Sequence, residues 1–342
     1  MRMRRAFVIL INTFLLLSCA RRQGEYRAPS FPIEKEVSVE LVGDPLELGL
    51  PVDLCQAGEY VFVLAYSPEN WLHVYDKRTG AKVGEAVKVG RGPGEGLNLV
   101  TMDWNQKEGN LYAFDQSLHK TLVYRLDGTD AAVSFVREIQ HPSEAVIRAC
   151  HQLPGGRFLY EGYLPGEGDK NTRYTLSDGL ISIDSYDSCP GVDDDDDRLA
   201  FLLGVSKGDP VTGRFVSGTM YGAVLECFDL SEGRIHPVAT RLIDRPEMDL
   251  SGPGIRGKEG TKYGFYTFCL SEKLIYANYL DSADPKEYRT VATFDWKGRE
   301  QTKYHLDRDV IRMCPAQESD GTLYGISLGP EQEFVLARFR LD

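Results

Sequence analysis

Three stretches of the 342-residue chain carry residue types with chemical potential. The first is VGRGPGEG, Val89 to Gly96, whose glycines raise the question of a phosphate cradle. A Walker loop needs Gly-x-x-x-x-Gly-Lys, and a dinucleotide loop needs Gly-x-Gly-x-x-Gly opening a helix. Counting from Gly90 the sixth residue is Glu95, from Gly92 it is Leu97, and the LNLVTMDW that follows has strand character. No helix terminus is available to a phosphate there. Pro93-Gly94 instead suits a tight reversal, which leaves Arg91 and Glu95 as the pair the turn displays.

The second stretch, Gly325-Ile326-Ser327-Leu328-Gly329, matches the Gly-x-Ser-x-Gly spacing of serine hydrolases. That motif needs a strand-to-helix elbow with an acid and a histidine later in the chain. Here it lies within a strand pattern and no histidine follows, so a nucleophile is not indicated. The third stretch, Asp193 to Asp197, could offer oxygen ligands to a divalent cation. A calcium loop, however, spaces its acids around a turned backbone with glycine, and a continuous run repels itself and favours disorder. The six histidines, His73, His119, His141, His151, His236 and His305, are dispersed without His-x-x-x-His spacing, and Cys-x-x-Cys is absent. No cofactor or zinc site is expected.

The elements that must carry these residues follow from a repeat. HVYDKRTG, VYRLDG, YTLSDG, CFDLSEG and TFDWKG end at Gly80, Gly128, Gly179, Gly233 and Gly298, at intervals of 48, 51, 54 and 65 residues, and the chain ends 44 beyond the last in FRLD. Each glycine joins two alternating strands in a hairpin, and about 20 residues earlier lies a further strand with its own turn. Four strands per unit in six units predict an all-β, six-bladed β-propeller over residues 36–342. The sixth unit stops after its third strand, and EVSVELV, Glu36 to Val42, is a strand without a hairpin partner. Pairing the N-terminal strand with the C-terminal blade would seal the ring and remove an open edge. Cys55, Cys150, Cys269 and Cys314 fall on the first strands of different blades, so they read as buried free thiols, while Cys189 and Cys227 are free to pair or not.

The first eighteen residues carry Arg2, Arg4 and Arg5 before an apolar run too short to span a bilayer, the layout of a secretory signal. The run ends in Leu16-Leu17-Ser18-Cys19, which resembles the lipobox of bacterial lipoproteins. That resemblance implies cleavage before Cys19, lipid on its thiol, and a tether over residues 19–35. Loss of residues 1–18 would leave 324 residues and shift the formal charge from −12 to −15. Such a chain repels nucleic acid, and its membrane contact is the lipid rather than a basic surface. The lipobox, the six units and the Gly90, Gly92, Pro93, Gly94, Glu95 turn together resemble the six-bladed, TolB-like or NHL-like propeller lipoproteins of Gram-negative anaerobes. The resemblance implies an outer-membrane address. After Cys19 there is no acidic cluster of the kind that resembles a surface-export signal, which favours the periplasmic side.

In a propeller, loops between blades share a face with loops joining second and third strands. The long segments at 90–96, 188–197 and 243–260, and those at 66–70, 115–120, 164–171 and 280–287, fall on that one face. Loops on a rigid scaffold commonly carry function. The candidate binding rim is therefore Arg91, Glu95, Glu69, Asp115, Glu167 and Asp169, facing a protein, peptide or glycan partner. The alternative is a metal-dependent hydrolase or lyase, with ligands at the channel mouth drawn from Asp53, Asp103, Glu144 or Asp307.

Overall fold

The computed structural model describes residues 25–127, 132–164, 172–317 and 321–341. It is a ring of six β-sheets. Four sheets are four-stranded meanders in chain order: Pro51–Ala57 to Lys82–Lys88, Leu99–Asn105 to Ala132–Gln140, Val146–Gln152 to Ser182–Tyr186, and Val205–Gly208 to His236–Asp244. The fifth blade runs from Tyr263–Leu270 to Glu300–Leu306, and the sixth supplies Val310–Pro315, Thr322–Leu328 and Phe334–Arg340. The glycines at 80, 179, 233 and 298 lie between third and fourth strands with φ of +70, +101, +72 and +70°. Gly128 lies outside the described residues.

The ring closes as the missing strand requires. Glu40–Val42 pairs antiparallel with Phe334–Arg340, with Glu40 opposite Arg338 and Val42 opposite Leu336. The alternating segment at its start divides at Ser38. Ile33–Val37 runs parallel to Glu300–Leu306 as a fifth strand on the fifth blade. Asp307 holds the step between the two, accepting from Val39 N and Ser38 Oγ, both at 2.9 Å. Past the closing strand, Gly43 at φ +77° lies so close to the first blade that an added Cβ would meet Thr79 O at 2.5 Å. The N-terminal segment is also seated further upstream than a free tether would be. Tyr26 Oη donates to Gly191 O, Arg27 N donates to Leu242 O at 3.0 Å, and Phe31 packs edge-on to Phe294.

Alternation along each strand presents apolar side chains to both sheet faces, and every blade interface has its own core. Phe62, Leu72, Met102 and Leu122 fill the first interface; Phe114, Ile147 and Phe158 the second; Leu159, Leu176, Phe215 and Phe228 the third. Leu225, Phe265 and Phe294 fill the fourth, Tyr276, Val310 and Met313 the fifth, and Leu54, Val61 and Ile326 the sixth. The six cysteines in the described residues are all free, and burial raises their thiols above the ordinary range.

Candidate functional site

The first strand of each blade lines the central channel, and its opening residues face the loop-rich side. A β-bulge follows the first or second residue of this strand in five of the six blades. Such bulges re-aim side chains. In four of these the third residue is polar, Asp53, Thr101, Arg148 and Arg312, and the unbulged first strand of the fourth blade places Lys207 there, a polar set in an otherwise apolar scaffold. These side chains wall a cavity of about 320 Å³ at the channel mouth, together with His151, Glu161, Ser206, Tyr266 and Phe268. Leu202, from the short helix Leu199–Leu202 in the loop between blades three and four, forms part of its rim.

The floor is a chain of buried charges. Lys207 Nζ sits 2.7 Å from Asp53 Oδ2, donates to Met102 O at 2.9 Å, and lies 3.9 Å from Asp103 Oδ1. Asp103 accepts from Gln152 N at 3.0 Å and stands 3.6 Å from His151 Nδ1. On the other edge of the ring, His151 Nε2 meets Ser206 Oγ at 2.9 Å, and Ser206 Oγ donates to Glu161. Burial alone would lower the His151 pKa, but the charges of Asp103 and Glu161 outweigh it and raise it to about 9. Burial likewise opposes ionisation of Asp103 and Glu161, and the imidazolium between them holds both below the usual carboxylate range. Burial would lower Lys207, and Asp53 and Asp103 raise it.

Asp103, His151 and Ser206 thus stand in the order of a hydrolase triad, with the proton positions of an ion-pair chain. With its pKa raised to about 9, His151 is charged at neutral pH, and Ser206 Oγ donates to Glu161. A charged imidazole cannot act as general base toward the hydroxyl.

The arrangement makes stability depend on pH with a definite sign. A histidine whose pKa is raised on folding stabilises the fold fully below its unfolded value near 6.5, and that contribution disappears as pH rises through about 9. The loss is on the order of 3 kcal/mol. The melting temperature should therefore fall by several degrees between pH 6.5 and 9.5, and His151→Gln should flatten that slope. A wild-type melt constant across this window would exclude a charged His151.

The rim residues have separate fates. Glu95 turns inward, its Oε2 accepting from Gly92 N at 2.7 Å, and a Cβ on Gly90 would collide with that carboxylate. The 89–96 segment is a blade-to-blade turn fastened from both sides. Trp71 Nε1 donates to Gly96 O, and Gly94 N donates to Glu138 Oε1 at 2.8 Å. Asp115 is fully buried and accepts from Leu97 N and Leu118 N, so its carboxylate sets loop geometry. Arg91 and Glu69 are exposed, while Glu167 and Asp169 lie outside the described residues.

The remaining sequence features are also placed. The aspartate run forms a turn leading into the helix Leu199–Leu202, where self-repulsion had argued for disorder. Asp194 caps Asp196 N, and buried Asp197 accepts from Met248 N at 2.8 Å. Ser327 is buried within Thr322–Leu328 and donates to Asp309 O. Of the four metal-ligand candidates, Asp53 and Asp103 are paired with Lys207, Glu144 is exposed, and Asp307 holds the N-terminal crossover. Among the described residues, no three His, Cys, Asp or Glu side chains converge as a metal would require.

Fold and channel define a six-bladed β-propeller with a charged central mouth. A family model described as a six-bladed beta-propeller matches residues 44–187. Among solved structures the chain is similar to one from Bacteroides fragilis NCTC 9343, provisionally described as an exported protein. That match has 14% identity over 91% of this chain and 99% of that one, with a TM-score of 0.54. The chain is also similar to U3-55K, at 13% identity over 89% and 98% of the two chains, with a TM-score of 0.51. No curated protein matches the sequence at a significant level. At these identities the structural likeness bears on fold alone.

Proposed function

We propose that the chain is a lipid-anchored envelope propeller, held by Cys19 on the periplasmic side of the outer membrane, which binds a protein, peptide or glycan partner on its loop-rich face. The observation that carries this reading is the cavity of about 320 Å³ that opens at the centre of that face, walled by first strands of all six blades. A mouth of this size, rigidly framed and lined by a few convergent polar groups, has the character of a ligand site. The address rests on the Leu16 to Cys19 lipobox, and the exported description of the Bacteroides protein agrees with it. The metal-dependent hydrolase or lyase reading has less support, because Asp53 and Asp103 are engaged by Lys207, Glu144 is exposed and Asp307 holds the N-terminal crossover.

One experiment tests both parts. A photo-crosslinking side chain is placed at Leu202, beside the mouth, or at Val211, which lines the opposite end of the channel, in chains carrying Cys19 or Cys19→Ser. Adducts should form in cells from Leu202 and not from Val211, and the Cys19→Ser chain should leave the membrane fraction. Equal adducts from both ends would remove the binding-face reading, and membrane retention of the serine variant would remove the lipid anchor.

A further inference from the structure

The mouth keeps two cationic groups outside its close ion pairs. Asp53 and Asp103 are engaged by Lys207 and His151, and Glu161 by Ser206 and His151. Two guanidinium groups remain, Arg148 and Arg312, on the innermost strands of blades three and six, which stand opposite one another in a six-membered ring. Arg312 is fixed in place. Its Nε donates to Val52 O at 2.6 Å, its Nη1 donates to Ile311 O at 2.8 Å, and its plane lies 4.8 Å from the centre of the Tyr266 ring. These bonds use Nε and Nη1 of Arg312, and the buried Nε of Arg148 has no hydrogen-bond partner among the described residues.

A half-buried guanidinium held rigid by carbonyls and an aromatic face, with an edge left free toward a cavity, is pre-organised for a planar anion. Lys207 is engaged by Asp53, so the two guanidinium forks are the cationic groups with donors still to offer. A flat carboxylate matches such a fork and brings a single charge past the three carboxylates of the wall and floor, where a phosphate monoester would bring close to two. The geometry points to a carboxylate as the ligand group, gripped between Arg148 and Arg312 and carried by a small polar molecule or a chain end. This deepens the binding-face reading and rests on it. Thr267 on the wall suits a polar remainder, and the volume admits a small molecule or the tip of a chain.

Two probes carry the carboxylate on the two candidate sources: sodium glucuronate for an acidic sugar and N-acetylalanine for a peptide end. Glucose and N-acetylalanine amide are the uncharged controls. Calorimetric titration of the full mature chain at fixed ionic strength should show binding of at least one carboxylate and of neither control. The probe that binds more tightly assigns the source. Arg148→Gln should weaken it at least tenfold. Arg148→Lys, which keeps the charge and loses the fork, should fall between. Arg312→Gln should do the same as Arg148→Gln; should it fail to fold, the Arg148 pair decides alone.

Absence of binding by both carboxylates overturns the inference. So does equal binding by the wild type and Arg148→Gln, or inorganic phosphate binding as tightly as either carboxylate. Photo-adducts confined to Leu202 without carboxylate binding would overturn this inference and leave the partner reading intact. Carboxylate binding without adducts would do the reverse.

Discussion

Starting the chain at Gly43 rather than Glu25 should lower the melting temperature by about 10 °C or more and render the protein prone to aggregation. The removed segment buries Val39 at 4% exposure and Val42 at 5%, each in a different inter-blade core. At roughly 1.5–3 kcal/mol per fully buried side chain, these two alone contribute about 3–6 kcal/mol. At the average unfolding entropy per residue, a domain of about 300 residues shifts by about 1.5–2 °C per kcal/mol, and the lost pairing of Ile33–Val37 with Glu300–Leu306 adds to the two valines. The Glu40–Arg338 pair, in which Nε and Nη2 both donate to Glu40 Oε2 at 3.1 and 2.7 Å, is exposed and adds little. The larger consequence is topological. Phe334–Arg340 would become a bare edge in a fold that otherwise ties its ends together. Scanning calorimetry and light scattering on the two chains check this, and a peptide spanning residues 33–46 should restore part of the melt. A truncated chain that melts with the full one would show that closure contributes nothing.

That strand was legible in the sequence because it was an imbalance: a sixth unit one strand short and an alternating segment with no partner. The repeating glycines were legible for the same reason, since a hairpin turn that needs positive φ leaves glycine at a fixed place in each unit. The site was not legible in this way. The rim was read from loop composition, and composition does not say which way a carboxylate points. Glu95 lies in a surface turn and Asp115 at the buried end of the strand Asn110–Asp115, and both serve backbone N–H groups of the adjoining loops. The channel residues did carry a signal, a polar side chain at the third position of five first strands. Reading it requires blade-by-blade alignment of strand starts, and the bulges there displace the alternation that would mark an inward residue. The pairings of Lys207 with Asp53 and of His151 with Glu161 join different blades or non-adjacent positions, so no local spacing announces them.

The same blindness to pairing hides the residue on which a single substitution should cost most. Arg173 is 1% exposed, just ahead of Tyr174–Ser177, and its Nη2 lies 2.7 Å from Glu226 Oε2 on the neighbouring blade. Its guanidinium also donates to Ser188 O at 2.5 Å and to Tyr174 Oη at 3.1 Å, and it faces the rings of Phe201 and Tyr174 at 4.6 and 4.9 Å. It therefore joins blade three, blade four and the loop between them. Arg173→Met would leave Glu226 buried with Tyr186 Oη at 3.0 Å as its one side-chain donor among the described residues. Removing one partner of a buried pair costs about 3–5 kcal/mol, and replacing both with neutral groups costs much less. Arg173→Met should thus lose about that much in urea unfolding, Arg173→Met with Glu226→Gln should recover most of it, and Arg173→Lys should not rescue, lacking the planar fork. A single-substitution loss under about 1 kcal/mol would show that Glu226 finds water or a proton instead. Because Phe201 belongs to the helix whose Leu202 borders the mouth, loosening Arg173 should also weaken carboxylate binding there without touching a cavity residue. The double variant separates the two effects: if stability returns and binding does not, the cation positions the helix rather than merely balancing Glu226.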